Sequence, residues 1–478
     1  MKAFALAACA AALAVATGAQ AQDWRAAAGQ DLAKMRELLK ADHPAAYVEK
    51  DGGTFRSWVD TGYEQVRANL DKVDDTSGYY YALNGYAGGF RDGNIRVVRT
   101  LPALDPAFAG AWPGFSTAWR DGAYIVAWSD GASKTPPVGA KLISCDKRPA
   151  EAIARERLDR WEGDLELQAD RARTAPYLLW DRGNPFAGAK PAKCDFDVAG
   201  RKKTFTLTYG FTAEAQRKAA FQAATPRPER ALSVEQWNDG YWIHLPSFAD
   251  DMPWEAFLGQ LEAQRAAIQN SKVVVIDMRG AGDGPGRHGY RVANWLWDPD
   301  FVLAHTPQFG DVAYRVSVDN RAFYAGVLAN LKTDGKYYKE WARWEALLAE
   351  FDQALASGQP LLKRNEARAA VAETPANPMK AKVVVLTDAA CARACLNMMD
   401  LFTRLPGVVH AGSVTSADSI FVGEAVSPLP SGFANLSIGD RAWLDRPRAS
   451  HTPYTPSLAY TGDPADETAV RSWLAGAL

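Results

Sequence analysis

The chain has 478 residues, 47% hydrophobic and 23% charged, enough for a globular protein of two or three domains and too apolar for a disordered one. A formal charge of −2 with no basic block excludes an electrostatic grip on nucleic acid. Its 16 tryptophans offer large aromatic surfaces to cores and to peptide grooves alike.

The opening MKAFALAACAAALAVATGAQAQDW places a lysine before an apolar run from Ala3 to Ala16 and closes on Ala19-Gln20-Ala21, the small-residue pattern of signal cleavage before Gln22. Residues 1–21 therefore read as a signal peptide, and a periplasmic or extracellular chain follows. The run falls short of the roughly 20 apolar residues that span a bilayer, so no stable membrane insertion is expected. A lipoprotein-like tetrad ends at Cys9, but almost no apolar region precedes it. After cleavage Cys145, Cys194, Cys391 and Cys395 remain, an even set for an oxidising compartment. The favoured pairing is Cys145 with Cys194 and Cys391 with Cys395, and four buried free thiols are the alternative.

Residues 22–100 read as a helical N-terminal domain: Leu32, Met35, Leu38 and Leu39 keep helical spacing, Asp42-His43-Pro44 breaks it, and Trp58 to Val73 resumes it. The tyrosines of YYYALNGYAGG feed a further helix, and Ile95, Val97 and Val98 open a strand just after a turn holding Asn94. Residues 101–212 begin in a Pro, Ala and Gly-rich stretch and continue as short strands, among them Ala123 to Trp128, Lys141 to Ser144 and Lys203 to Tyr209. The string VGAKLISCDKRPAEAI resembles the strand, turn and helix of a PDZ-like module, which captures an extended peptide at a sheet edge. Residues 213–235, alanine-rich and charged, read as a linker.

From 236 to 478 strands alternate with helices, the pattern of a mostly parallel sheet. Val273 to Ile276 and Val383 to Leu386 are uninterrupted apolar runs, as strands covered on both faces require. After the first come Gly280, Ala281 and Gly282, where backbone N–H groups could form an oxyanion hole; GxGxxG spacing for a dinucleotide is absent. Residues 318–373 interrupt the rhythm with helices in which Trp341, Trp344, Leu348 and Phe351 share a face, core of a helical insertion rather than a lid. The second run leads through Thr387-Asp388 into a helix from about Ala394 to Leu405, an elbow of the kind that holds a nucleophile at a helix N-terminus. At its tip stands Arg393, whose guanidinium has no free lone pair with which to attack.

Three strings, FRDGNIRV, VVVIDMRGAGDGPG and VVVLTDAACARACLNMMD, together with the PDZ-like string and the tail HTPYTPSLAYTGDPADETAVRSWL, resemble the carboxyl-terminal-processing, or tail-specific, serine peptidase family over nearly the whole chain after residue 21. The resemblance implies a crotonase-like α/β spiral core, a PDZ-like module, a peptide or unfolded protein segment as ligand, and no cofactor or metal. It also implies a histidine base at the position of Asn94 and a serine nucleophile at that of Arg393. In the branch using a serine and lysine pair, the lysine position is held here by Asp418. The usual R-G-N-G-G becomes Arg279-Gly280-Ala281-Gly282-Asp283, with a carboxylate beside the presumed oxyanion hole. Asparagine cannot take a proton at neutral pH, so neither catalytic version is intact. The expectation is a non-hydrolysing peptide-binding member in which Arg393 holds a peptide carboxylate, with Asp418 or Asp388 as its partner when empty, or in which Arg393 merely pairs with Asp418 and plugs the site. The alternative is an active peptidase, serine-type or dependent on Cys391 with His410, His288 or His451 as base.

Overall fold

The computed structural model describes residues 22–478 except 101–109, 212, 228–229, 283, 285, 307–309, 334, 336–337, 367–372 and 447. The expected signal peptide and Asp283 thus lie outside the described residues.

The site is carried by a six-stranded sheet ordered Leu458–Ala459, Val408–Gly412, Lys382–Thr387, Val273–Asp277, Gly240–His244 and Ser233–Trp237. The first four pairings are parallel and the last antiparallel. Its centre is apolar on both faces, as the sequence runs require. One face sets Ile243, Val274, Ile276, Val383 and Val385 against helices Trp254–Gln269, Arg287–Trp297 and Ala394–Phe402; the other sets Trp242, Val275, Val384 and Leu386 against Val470 and Leu474 of the last helix, Glu467–Ala477. Each such side chain contributes about 1.5–3 kcal/mol over an exposed one.

The remaining sheets correct the expectation of a mostly parallel architecture. Arg96–Arg99, Ala434–Ile438 and Ala425–Pro428 form an antiparallel sheet, as do Leu361–Asn365, Asp311–Arg315, Arg441–Trp443 and Phe421–Val422. A third antiparallel sheet holds Phe115–Arg120, Ala123–Ser129, Lys141–Cys145, Lys193–Val198 and Arg201–Thr206, with Arg148–Pro149 at its side. Parallel neighbours need a crossover of a dozen or more residues, and helices supply it here as far as Val408–Gly412, after which strands make the return to Leu458–Ala459.

Helices Trp24–Asp42, Gly53–Arg67 and Thr76–Gly88 bury Leu32, Met35, Leu39, Val59 and Tyr80 in one core with Ile420, Leu436 and Ala442, so the N-terminal helices rest on strands from the far end of the chain. The second helix stops at Arg67 rather than Val73. The stretch read as a linker carries helix Glu214–Ala224, whose buried face is only Ala220 and Ala224 and gives almost no periodic signal. In the insertion, helices Val318–Thr333 and Tyr338–Ala356 pack Tyr324, Leu348 and Phe351 together with Trp341 and Trp344.

Both favoured disulfides are present. Cys145 and Cys194 face each other in register across two strands, Cα atoms 4.0 Å apart, and Cys391–Cys395 closes the elbow at 5.2 Å.

Beside the elbow strand, Thr387 Oγ1 lies 3.0 Å from Ser413 O and 2.8 Å from His410 Nε2, which fixes the buried imidazole against the strand end. Burial pulls this imidazole down to about 4. The folded state therefore binds fewer protons here than the unfolded state between pH of about 4 and about 6.5, so stability rises with pH across that window. Because other groups titrate in the same window, the check is the difference between the natural chain and His410→Gln in denaturant titrations, which should grow in the natural chain's favour by at most about 3 kcal/mol from pH of about 4 to about 6.5.

Candidate active-site cleft

The elbow is built as its sequence implies. The Lys382–Thr387 strand is buried from Val383 onward, and after it Asp388 O accepts the Cys391 N–H at 3.1 Å while Cys391 O accepts the Ser416 N–H at 3.0 Å. The disulfide closes the same turn. Arg393 then caps the helix with φ 49° and ψ −107°, a backbone conformation that costs a non-glycine residue on the order of 1–3 kcal/mol. Strain of this kind marks strand-to-helix elbows that lift one side chain out of the fold.

Arg393, Asn94 and Asp418 line one open cleft of about 1140 Å³, so the three positions singled out by the sequence meet in space. Its lining includes the aromatic side chains Tyr314, Tyr324, Trp344 and Trp443. Asn94 sits on a turn in which its N–H bonds Asp92 Oδ1 at 2.9 Å, and its Nδ2 donates to Phe421 O at 2.8 Å. Behind it, Asp92 Oδ2 accepts from the Ser419 hydroxyl at 2.7 Å, and burial raises this carboxyl to about 6. Asn94 therefore serves a sheet edge as a donor.

The presumed oxyanion hole is already occupied. The Gly280 N–H donates to both carboxylate oxygens of Asp388, at 3.1 and 3.0 Å, and the Ala281 N–H goes to Met278 O at 3.1 Å. Burial raises the Asp388 carboxyl, and the Gly280 and Ala390 N–H groups oppose that rise. Ala281 is fully buried, and it is Gly284, beyond Gly282, that lines the cleft. Gly284 has φ 110°, and a Cβ there would fall 2.1 Å from the Phe248 backbone, so only glycine fits.

Charge partners differ from those expected. Arg393 Nη2 lies 3.7 Å from Glu424 Oε1. Asp388 is spent on backbone N–H groups, and Asp418 is held by Arg446 at 3.2 Å and by Arg448. Those arginines also grip Asp400, each at 2.9 Å, in a cluster whose side chains are 4–10% exposed. Burial pushes Asp400 up, but Arg448 and Arg446 hold it below the usual carboxylate range. Arg446, Arg448, Asp400 and Glu424 were not singled out by sequence; the only signal was two arginines close together after Asp445.

Cys391 is bonded to Cys395 and fully buried, so no thiolate is available there. His410 bonds Thr387, His288 bonds Asp250 at 2.7 Å while stacked on Trp254, and His451 lies 3.3 Å from Asp164. Among the described residues no group of three or more His, Cys, Asp or Glu could hold a metal ion, and no helix is long and apolar enough to cross a membrane.

No family model and no curated protein matches the chain. Among solved structures, a mutant of CPAF superposes with a TM-score of 0.61 at 13% identity, covering 94% of this chain and 95% of that one. Mature CPAF complexed with lactacystin gives 0.58 at 13% identity, covering 95% and 97%. The chain has the CPAF fold. The photosystem II D1 C-terminal processing protease also matches, at a TM-score of 0.37 and 12% identity over 95% and 97% of the two chains. The CPAF likeness bears out, at the level of fold, the α/β architecture and the resemblance to carboxyl-terminal-processing peptidases. It does not extend to the chemistry of the cleft.

Two substitutions test this geometry. Arg448→Met should cost about 3 kcal/mol or more in a denaturant titration, because Asp400 and Asp418 would share one guanidinium while buried. Arg393→Gly should instead stabilise the fold by about 1 kcal/mol, since glycine adopts positive φ without strain.

Proposed function

We propose that the chain is an exported, non-hydrolysing relative of the tail-specific peptidases that binds a peptide or unfolded protein segment in its cleft, with Arg393 as a fixed cation for the carboxylate of that ligand. The observation that carries this reading is Arg393 at the strained elbow tip, in the same cleft as Asn94. Neither residue can attack a carbonyl or take a proton from one that does. Loss of a nucleophile or its base costs on the order of 10⁴–10⁶ in turnover, and what survives in such enzymes comes from the oxyanion hole and from binding. The Gly280 N–H bonded to Asp388 removes part of that remainder as well.

A planar guanidinium suits a carboxylate because two parallel N–H···O bonds form at once. The half-buried Trp344 and Trp443 in the cleft lining offer surface to the side chains that precede such a group. The PDZ-like strands between residues 101 and 212 are proposed as a second place where an extended chain can be held.

Two measurements on the purified protein test the reading. With a mixed unstructured-protein substrate, hydrolysis should stay at the buffer rate; cutting by the natural chain would overturn it. In binding, peptides with a free C-terminal carboxylate should be preferred over amidated ones by roughly tenfold, the worth of one charge-assisted hydrogen bond, and Arg393→Ala should abolish the preference.

A further inference from the structure

At the mouth of the cleft one carboxylate serves two arginines. Glu424 Oε1 pairs with Arg96 and stands 3.7 Å from Arg393 Nη2. All three side chains are open to solvent, Glu424 at 59%, Arg96 at 34% and Arg393 at 36%. The backbone before Glu424 has no such freedom. Gly423, at φ 100°, lies so close to the buried Asp440 carboxylate that a Cβ would come within 2.3 Å of it, and Ala425 enters the Ala425–Pro428 strand at once. Movement at Glu424 is therefore a rotation of its side chain and not of the backbone.

We propose that Glu424 is a built-in substitute for the ligand's carboxylate: it sits between Arg393 and Arg96 when the cleft is empty and rotates into solvent when a peptide carboxylate enters. This rests on the reading of Arg393 as the carboxylate anchor and adds the residue that sets its affinity. The geometry favours exchange. At 3.7 Å the Arg393–Glu424 contact is ionic and lies beyond hydrogen-bond range, whereas an incoming carboxylate can close to about 2.7–2.9 Å with two bonds. The expelled Glu424 goes to water, where it keeps its hydration.

A terminal carboxylate and an acidic side chain share this chemistry, and the test separates them. The probes are fluorescein-labelled hexapeptide libraries of randomised neutral sequence with free or amidated C-termini, and an amidated library bearing one Glu, each titrated with the full chain by fluorescence polarisation. Glu424→Gln, with Glu424→Ala as a second variant, should tighten binding of the free-carboxylate library roughly 2- to 5-fold, the scale of an exposed ion pair, and leave the neutral amidated library unchanged. Arg96→Gln should weaken the free-carboxylate library. If the natural chain binds free and amidated libraries alike, the Arg393 reading falls and this inference falls with it. If it prefers the free carboxylate but both Glu424 variants bind equally or more weakly, only the displacement is overturned, and Glu424 belongs to the ligand's own site. A matching gain for the Glu-bearing amidated library upholds the displacement and names a side chain as the carboxylate's source.

Discussion

Asp388 ties together the ends of the two adjacent parallel strands on which the cleft is built. The strands Val273–Asp277 and Lys382–Thr387 run in register as far as Asp277 and Leu386, and one residue beyond Thr387 the Asp388 carboxylate reaches back across the pair to the Gly280 N–H while also accepting from Ala390. A carboxylate bonded to two backbone N–H groups satisfies donors that would otherwise be orphaned at the strand ends, and it fixes the loop after one strand against the elbow after the other. The elbow's position, and with it Arg393, follows from that tie. So does the loss of the Gly280 N–H to any reacting group.

Two buried charge clusters flank this tie. Asp277 is fully buried and accepts from Arg279, from Arg230 at 2.6 Å and from the Trp242 indole at 3.0 Å; burial alone would raise it, but His244, Arg279 and Arg230 hold it far below the usual carboxylate range. On the other side Asp400 and Asp418 share Arg446 and Arg448. Buried ion pairs add little net stability, yet removing one member is costly, so such clusters fix geometry more than they add free energy. Here they fix both walls of the elbow. Asp418 is absorbed into one of them, which explains why it does not answer to Arg393.

Much of the fold was legible because its signals were local. The apolar runs at Val273 and Val383, the helical spacing of Leu32, Met35 and Leu39, and the turn glycines each point to one structure, and five strings in one order pointed to one architecture. That Asn94, Arg393 and Asp418 would come to one place was legible by the same route, and they line one cleft. What escaped was long-range or faint: Glu424 reaches Arg393 only through the fold, Arg446 and Arg448 reveal their role only once Asp400 and Asp418 are placed beside them, and the helix Glu214–Ala224 hides because two alanines are its entire buried face. The parallel pattern was extended too far, since alternation of strand and helix governs only the central sheet, while the strands between Phe421 and Trp443 form antiparallel ladders.

The charged groups in the cleft form a coherent set when compared with a hydrolase elbow. In a hydrolase elbow the nucleophile is neutral at rest, and the N–H cradle waits for negative charge that develops only in the transition state. Here the cradle at Gly280 already holds a carboxylate, and the elbow tip carries a permanent cation. The polarity of the site is thus inverted. An anion forming near Gly280 would be repelled by Asp388, whereas an anion already present on a ligand is attracted to Arg393 before any chemistry begins. Interactions made equally with ground and transition states give affinity without rate. A fixed cation facing a fixed anion is an interaction of that kind, so the arrangement at Arg393 and Glu424 suits holding a chain better than cutting one.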